Sequence, residues 1–353
     1  MMLRHTRILL IAVAALVAAG DAAAQNTVSG RGATLRIGGR LHTQYAASSV
    51  ETYADHFFFR RARIEADITV NDFFSARLQP EFGGFEAELR DAYVRLDFSP
   101  AFQVTMGQFK RPFDLFELSS SVDLSLIERD GRVGGVNTCS GVGGICSYSR
   151  LTEKLGFADR DIGVRVSGAR GKVRWNVAMT NGAGQNVADE NDAKSFSGRF
   201  GVTVAERLTL SANAALHDWV GPDEEGRHAG AWGADVQYGT WRDGLLVQAS
   251  LVAGENWKKL DGAGEPRNFS AFQAAASYYA PLKSPRFAGV EPLLRLSWGD
   301  PDTGVASDGG VVVTPGFMLY VAGRSKIGFN VDVWSPQAGD SEHSIKIQSY
   351  LYF

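Results

Sequence analysis

The chain has 353 residues, with 36 Lys and Arg against 39 Asp and Glu, and it is rich in Gly (40) and in aromatic residues (7 Trp, 10 Tyr, 21 Phe). This mildly acidic balance argues against a nucleic-acid partner, which requires a basic surface. Beyond the N-terminus no segment reaches the roughly 20 apolar residues of a membrane-spanning helix. Any membrane form must therefore be a closed barrel, because lipid leaves no partner for unpaired backbone groups.

The N-terminus predicts a secretory signal peptide over residues 1–24, followed by one domain over residues 25–353. Arg4 and Arg7 precede the apolar run 8–19, and Ala22, Ala23 and Ala24 supply a small-residue cleavage site. The apolar run is too short for a transmembrane helix. We therefore expect an exported protein.

The stretch 57–113 shows a two-residue alternation that organises the rest of the chain. Successive side chains of a strand point to opposite faces, so this stretch predicts strands with one apolar and one charged face. The apolar set begins Ala62, Ile64, Ala66, Ile68, Val70, and the charged set begins Arg61, Arg63, Glu65, Asp67, Thr69.

Sixteen segments of the chain show strand alternation, most of them near the ~9–11 residues that a tilted strand needs to cross a bilayer. Four of them lie within residues 57–109. The others are 34–46, 161–168, 172–182, 195–205, 208–219, 229–239, 244–254, 269–280, 290–299, 311–322, 325–335 and 343–353.

The connections between these segments alternate in length. Turns such as 71–73, 99–100 and 205–207 are short, whereas 110–160 and 181–194 are long and rich in Gly, Asp and Asn. Short turns at one end and long loops at the other are typical of an outer-membrane barrel with periplasmic turns and extracellular loops. The sequence therefore predicts an all-β, sixteen-stranded antiparallel transmembrane barrel in the outer membrane of a Gram-negative bacterium, with its apolar face against lipid.

The charged side chains that alternate with the apolar ones then line the lumen, where fixed charges in a narrow pore select ions. Guanidinium groups are permanently charged and suit oxyanions, so we expect a weak preference for small anions. The lumen-facing arginines are Arg36, Arg40, Arg61, Arg63, Arg77, Arg95, Arg165, Arg174, Arg199 and Arg295.

A second interpretation of these arginines is neutralisation by acidic neighbours across the wall. Glu65 and Asp67 project from the same strand as Arg61 and Arg63, and each arginine taken singly has about even odds of being paired. Neutralisation of all ten is less favoured, because Glu291 is the one acidic neighbour identified near Arg174, Arg199 and Arg295.

The longest connection, 110–160, begins Lys110-Arg111-Pro112-Phe113 and contains both cysteines, Cys139 and Cys146. Two thiols without nearby His or Cys cannot close a zinc site, and an exported chain favours a disulfide. The seven Trp mostly lie near predicted strand ends, which favours membrane-interface belts over a ligand site.

Four blocks resemble the phosphate-selective porin O/P family: RRARIEAD (60–67), RDAYVRLDF (90–98), GQFKRPFDLFELSSS (107–121) and LIER (126–129). The resemblance is dense over residues 57–130 and rests afterwards on the barrel pattern and the ending IKIQSYLYF. It implies a sixteen-stranded homotrimeric porin with inward-folded loops and an arginine-lined lumen that leads to a lysine-rich constriction. By this analogy Lys110 and Arg111 lie near the narrowest point, in a loop whose first half folds into the lumen.

The chain departs from the family in its lysines: it holds nine, of which only Lys110 lies in a matching motif. The resemblance therefore supports a porin more firmly than a phosphate channel. We expect a passive pore in outer-membrane lipid that passes small hydrophilic solutes, with anions and phosphate or polyphosphate favoured.

Two rival functions remain open from the sequence. A barrel enzyme needs a nucleophile, a base and an orienting group; of the histidines only His42 and His217 have lumen parity, and neither lies in a motif. A non-conducting adhesion or structural barrel is the other rival. We expect no catalytic residue, cofactor or metal.

Overall fold

The computed structural model describes residues 27–30 and 32–353; the predicted signal peptide, 1–24, lies outside these residues. Strands dominate the chain. They are β1 Thr27–Gly30, β2 Ala33–Ser48, β3 His56–Thr69, β4 Phe74–Glu81, β5 Glu88–Ser99, β6 Phe102–Lys110, β7 Arg160–Arg170, β8 Val173–Thr180, β9 Ser195–Ala205, β10 Leu208–Val220, β11 Gly226–Tyr238, β12 Leu245–Leu260, β13 Pro266–Tyr278, β14 Ala280–Pro281, β15 Gly289–Asp300, β16 Gly310–Ala322, β17 Ser325–Pro336 and β18 Glu342–Tyr352.

Helical segments are few and short. They are a 3₁₀ turn at Gly83–Phe85, α1 at Leu115–Leu118 and α2 at Tyr148–Lys154. Within the described part of the chain no helix has the length and apolar character needed to span a membrane.

The strands from β2 to β18 form one closed antiparallel sheet. Each pairs with the next along the chain, and β18 returns to β2 through nine register pairs that run from Ser344↔Ser48 to Tyr352↔Arg40. β13 and β14 both pair with β15 and act as one bent strand, so the barrel has sixteen strands. β1 folds back on the start of β2. The predicted fold class is confirmed.

The two faces of the barrel have opposite chemistry. On β3, Ile64 faces outward with 45% of its surface exposed, whereas the neighbouring Arg63 faces inward and is 5% exposed. The same inversion holds on β15, where Leu294 is 53% and Arg295 1% exposed. Apolar side chains cover the outside and polar side chains fill the inside, which is the arrangement that lipid imposes on a barrel.

Several strands extend beyond the predicted ends at the loop rim. β11 starts at Gly226 instead of 229, and β12 continues to Leu260 instead of 254. The connections here shorten to 221–225 and 261–265. Above the membrane the outer face of a strand meets water and not lipid, so the apolar alternation that marks a strand in the sequence disappears although the hairpin continues.

A β-bulge in β3 changes which side chains enter the lumen. His42 pairs with Arg61 but Thr43 pairs with Phe59, so Arg60 is an extra residue in β3. Arg60 and Arg61 therefore both reach the interior, contrary to strict alternation. Glu81 Oε1 accepts the N–H of Ala62 at 2.8 Å beside the bulge, which satisfies a donor that a disrupted ladder leaves free.

The tryptophan prediction is only partly correct. Trp232 is 58% exposed on the outer face, but Trp219 and Trp334 are 5% and 2% exposed in the interior core. Trp257 donates its indole N–H to the carbonyl of Leu155 in the long loop at 2.8 Å. Position near a strand end does not distinguish an outward from an inward indole.

The orientation of the wall gives a prediction about membrane insertion. Leu294→Arg places a charge on the lipid face at the middle of β15. We expect it to destabilise the barrel folded in lipid vesicles by about 2–4 kcal/mol. Leu282→Arg, in the turn after β14, introduces the same charge outside the spanning strands and should cost far less. Equal losses in reversible vesicle-folding titrations would contradict the orientation.

Candidate functional site

The long loop between β6 and β7, residues 111–159, lies inside the barrel. Its apolar side chains form one buried core with the inward face of the wall from β10 to β17. The loop contributes Phe113, Phe116, Val133, Cys139, Val142, Ile145, Cys146, Tyr148, Leu151, Leu155, Phe157 and Ala158. The wall contributes Ala215, Trp219, Ala229, Ala231, Val252, Phe269, Ala271, Val312 and Trp334.

Polar wall residues bind the backbone of this loop. Lys326 Nζ donates to the carbonyl of Leu124 at 2.6 Å, and Arg295 Nη1 donates to the carbonyls of Glu128 and Arg129, both at 2.8 Å. The N–H of Ile127 donates to Asn330 Oδ1 at 2.7 Å. These bonds fix the path of residues 124–129 across the lumen.

The second half of the loop is also held closely. Cys139 and Cys146 form a disulfide, and the N–H of Tyr148 donates to Ser297 Oγ at 3.0 Å. A Cβ on Gly299 would lie 3.0–3.1 Å from Leu151, Cys146 and Ser147. The glycine therefore allows this close approach between loop and wall.

The surroundings of two acidic side chains in the loop raise their pKa values. Burial raises the pKa of Asp114 to about 6, although its carboxylate caps α1 by accepting the N–H of Phe116 at 2.8 Å and the hydroxyl of Thr152 at 3.0 Å. Burial, together with the charge of Glu117, raises the pKa of Glu153 to about 7.

A turn at the opposite end of the barrel also points inward. Trp241, between β11 and β12, donates its indole N–H to Tyr320 Oη at 3.1 Å, across to β16. The Arg242 guanidinium lies 4.8 Å from the centre of the Tyr320 ring. The loop and this turn thus fill much of the lumen beside β10–β17, and the remaining wall runs from β18 through β2 to β9.

Two cavities lie between the loop and that wall. The vestibule, about 490 Å³, is lined by Gln44, Ala46, Tyr53, Phe58, Phe59, Arg60, Glu81, Gly83, Gly84, Glu86, Glu88, Arg90, Glu128, Asp130, Gly131, Arg132, Val133, Gly134, Val136, Gly144, Ile145, Arg150, Ser344 and Lys346. The basic cavity, about 300 Å³, is lined by Arg40, Arg61, Arg63, Glu65, Arg77, Gln79, Asp91, Lys110, Leu118, Ser120, Ser121, Val122, Arg129, Arg160 and Arg324.

The basic cavity has a large excess of positive charge in its lining, with eight Arg or Lys side chains against Glu65 and Asp91. The Arg61 guanidinium has one carboxylate within ion-pair distance, Glu81 at 3.8 Å. The Lys110 ammonium is bound by the neutral carbonyls of Glu117 and Ser119, so these contacts do not cancel its charge.

Most of the predicted lumen arginines form ion pairs with the wall. Arg36, Arg40, Arg61, Arg63, Arg77, Arg95, Arg199 and Arg295 each have a carboxylate within 4.0 Å. Among the described residues Arg165 and Arg174 have none; Arg165 lies 4.9 Å from the centre of the Phe109 ring, and Arg174 is exposed. Arg111 pairs with Asp161 at 2.6 Å, is 4% exposed and anchors the start of the loop outside both cavities.

The expectation that Glu291 is the one acid near Arg174, Arg199 and Arg295 is wrong for two of them. Arg199 pairs with Asp235 across the intervening strand β10, and Arg295 pairs with Asp332 across β16 at 2.8 Å. An arginine side chain is long enough to reach across one strand to the strand beyond it. The alternation of residues along a single strand does not reveal such a partner.

A sequence match identifies the family of the chain. Residues 35–220, more than half of the chain, match the family described as phosphate-selective porin O and P. The chain belongs to this family. It is an outer-membrane porin of a Gram-negative bacterium, as the sequence predicted.

Solved structures share the fold of this porin. The anion-selective porin from Comamonas acidovorans is 13% identical with a TM-score of 0.63, covering 91% of this chain and 100% of that one. The outer-membrane channel DcaP of Acinetobacter baumannii is 12% identical with a TM-score of 0.61 (92% and 99% covered). The trimer form of OmpT from Vibrio cholerae is 13% identical with a TM-score of 0.60 (91% and 99%). No curated protein matches the chain by sequence.

Alternation along the strands did not predict several cationic residues that line the two cavities of the porin, among them Arg60, Arg129, Arg160 and Arg324. Arg60 enters the lumen through the bulge, Arg129 lies on the loop, and Arg160 starts β7 with its guanidinium 2.6 Å from Asp91. Arg129 lies in the LIER block, so the family resemblance carried the one signal that could have identified it.

A Ser–His contact occurs in the porin but has no room to act on a substrate. Ser195 Oγ lies 3.4 Å from His217 Nδ1, which Arg111 Nη1 also approaches at 3.3 Å. Ser195 and His217 are 1% and 5% exposed, and the Trp257 ring centre lies 5.2 Å from the imidazole. A nucleophile must be reachable and have a free base, so this contact is structural.

The raised pKa of Glu153 predicts that the stability of the packed loop depends on pH. Its pKa is about 7 against an ordinary value of 4.5, so the folded loop holds the proton more tightly than the unfolded chain does. Stability from this group is complete below pH 4.5 and is lost as pH rises to about 7. We expect the apparent melting temperature to fall between pH 5 and pH 8, and Glu153→Gln to reduce that fall.

Glu86→Gln is the matched control for this substitution, because Glu86 is exposed in the connection between β4 and β5 and does not belong to the loop. A pH dependence that Glu153→Gln leaves as large as in the wild type would contradict the assignment.

Proposed function

We propose that this porin prefers anions and that it favours phosphate among small hydrophilic solutes. The observation that supports the proposal is the basic cavity, whose lining has eight cationic side chains and two carboxylates; among the described residues Arg61, Lys110 and Arg324 have no close ion pair. In a narrow cavity bounded by protein such charges are screened less than in bulk water. An entering anion therefore meets a favourable potential and an entering cation an unfavourable one.

The donors of the basic cavity suit an oxyanion in particular. A guanidinium presents a planar fork that binds two oxygens of phosphate or carboxylate at once. Arg61 has only a long contact to Glu81, and Arg324 has no carboxylate within ion-pair distance among the described residues. These side chains can bind a solute without breaking a close ion pair.

The positive lining continues beyond the basic cavity. A third cavity of about 350 Å³ contains Lys172, Arg174 and the Arg199–Asp235 pair, and Leu118 borders both spaces. Arg174 is exposed and has no ion pair within the described residues. An anion that leaves the basic cavity thus meets further uncompensated positive charge.

The family name and one fold neighbour point the same way. The matched family is described as phosphate-selective, and the Comamonas acidovorans structure is described as an anion-selective porin. A cationic solute is repelled by the arginine lining, and a neutral solute gains hydrogen bonds but no ion-pair attraction.

The assembly and surroundings are part of the proposal. The apolar outer face fits contact with outer-membrane lipid, and the trimer form of the OmpT fold neighbour supports a homotrimer. The buried Ser195–His217 contact gives no support to an enzyme. Native electrophoresis of the detergent-solubilised protein, with a monomer as the contrary outcome, tests the trimer.

Conductance in planar bilayers tests the anion preference. In a KCl gradient the reversal potential should indicate anion preference, and phosphate should inhibit the chloride current. Arg61→Ala should raise the phosphate concentration for half-inhibition about tenfold, as the loss of one charge-assisted hydrogen bond, near 1.4 kcal/mol, implies.

Arg207→Ala is the matched control, because Arg207 pairs with Asp243 at 3.2 Å in an exposed turn outside the cavities. It should leave half-inhibition unchanged. A cation-selective reversal potential would overturn the anion preference, and a barrel that folds but carries no current would favour the structural alternative.

A further inference from the structure

The vestibule and the basic cavity meet where the loop touches the bulged strand. Arg60 and Glu128 line the vestibule, while their chain neighbours Arg61 and Arg129 line the basic cavity. Arg60 belongs to the wall and Glu128 to the loop. The contact between their side chains therefore bridges the gap between wall and loop at the boundary of the two cavities.

This contact has the geometry of a bound oxyanion. Arg60 Nη2 donates to Glu128 Oε2 at 2.9 Å, and Arg60 Nε donates to Oε1 of the same carboxylate. The two parallel bonds occupy the guanidinium fork that a phosphate or a solute carboxylate would use. Arg60 retains 20% exposure of its side chain and Glu128 5%.

The carboxylate remains charged over the pH range of a membrane experiment. Burial disfavours the ionised form of Glu128, but the guanidiniums of Arg60 and Arg132 outweigh it and hold the pKa of this carboxyl well below its usual range. Glu128 therefore competes with a solute as an anion.

We propose that Glu128 is a tethered competitor for permeating oxyanions: its carboxylate occupies the Arg60 fork between the two cavities, and an oxyanion passes by taking its place. This inference rests on the proposed anion preference and names the residue that sets its strength. A solute with two suitably spaced oxygens can accept both hydrogen bonds that Arg60 donates to the Glu128 carboxylate, whereas chloride cannot accept both in this geometry.

The loop can release this side chain without moving its backbone. The carbonyl of Glu128 is held by Arg295 at 2.8 Å, and the N–H of the preceding Ile127 by Asn330 at 2.7 Å. Among the described residues, Arg60 is the one hydrogen-bonding partner of the Glu128 carboxylate. Arg132, 46% exposed on its side chain, lies nearby on the loop; its Nε is bound by Asp130 at 3.0 Å, and its charge also attracts the Glu128 carboxylate.

A structural ion pair in the same barrel looks different. Asp332 is 2% exposed, and its carboxylate accepts bonds from Arg295 at 2.8 Å, from Thr314 and from Lys346. It lines neither cavity. Such a group is fixed by several partners, whereas the Glu128 carboxylate, although also buried, is bound by Arg60 alone among the described residues and belongs to the lining of the vestibule.

Glu128→Gln tests the proposal, because it removes the charge and keeps the shape of the side chain. Relative to wild type, the purified porin in planar bilayers should conduct at least twofold more chloride. Inorganic phosphate should half-inhibit this current at an about tenfold lower concentration, because the fork no longer holds a competing charge. The double variant Arg60→Gln, Glu128→Gln should lose this gain, since the fork itself is gone.

Asp97→Asn is the matched control: it removes a carboxylate that pairs with Arg95 at 2.9 Å and lines none of the three cavities. It should behave as wild type, and heat-modifiable migration on gels confirms folding of every variant. If Glu128→Gln shows the same chloride current and the same phosphate inhibition as wild type, the inference is overturned, and the Arg60–Glu128 ion pair only holds the loop to the wall. A wild-type pore that prefers cations would instead overturn the proposed function, so the two failures are distinguishable.

Discussion

The structure depends on the requirement that every backbone N–H and C=O of a membrane-spanning segment has a partner within the protein. The sixteen strands meet it by closing into one sheet, in which the last strand bonds to β2. Closure fixes the side-chain chemistry, because alternate residues must then face hydrocarbon or the interior. Charged side chains such as Arg63 and Glu81 are stable in the membrane-spanning region because they are enclosed and paired with each other.

A closed barrel of this size leaves an interior too wide for wall side chains to fill. The protein fills part of it with a segment of its own chain, since the loop after β6 packs on the wall from β10 to β17 as one apolar core. The remaining polar groups of the loop are bound by wall residues such as Lys326 and Asn330. The lumen thus contains a packed apolar region and, beside it, cavities lined by charged side chains.

The sequence predicted the sheet well because strand alternation has a fixed period of two and lipid enforces it. It predicted the strand ends less well at the rims, where β12 continues to Leu260 beyond the segment that alternates in hydrophobicity. The bulge at Arg60 breaks the period by one residue, and no composition signal marks it. The partners of Arg199 and Arg295 lie two strands away, so only the assembled barrel reveals them. The resemblance predicted an inward loop, but not which half of the wall it would cover.

The one-sided packing of the loop also makes it part of the fold. Its apolar side chains share a core with inward-facing wall residues such as Trp219, Phe269 and Trp334. Excising the loop would leave these wall side chains facing the water of the lumen. The segment that narrows the interior therefore also stabilises the barrel.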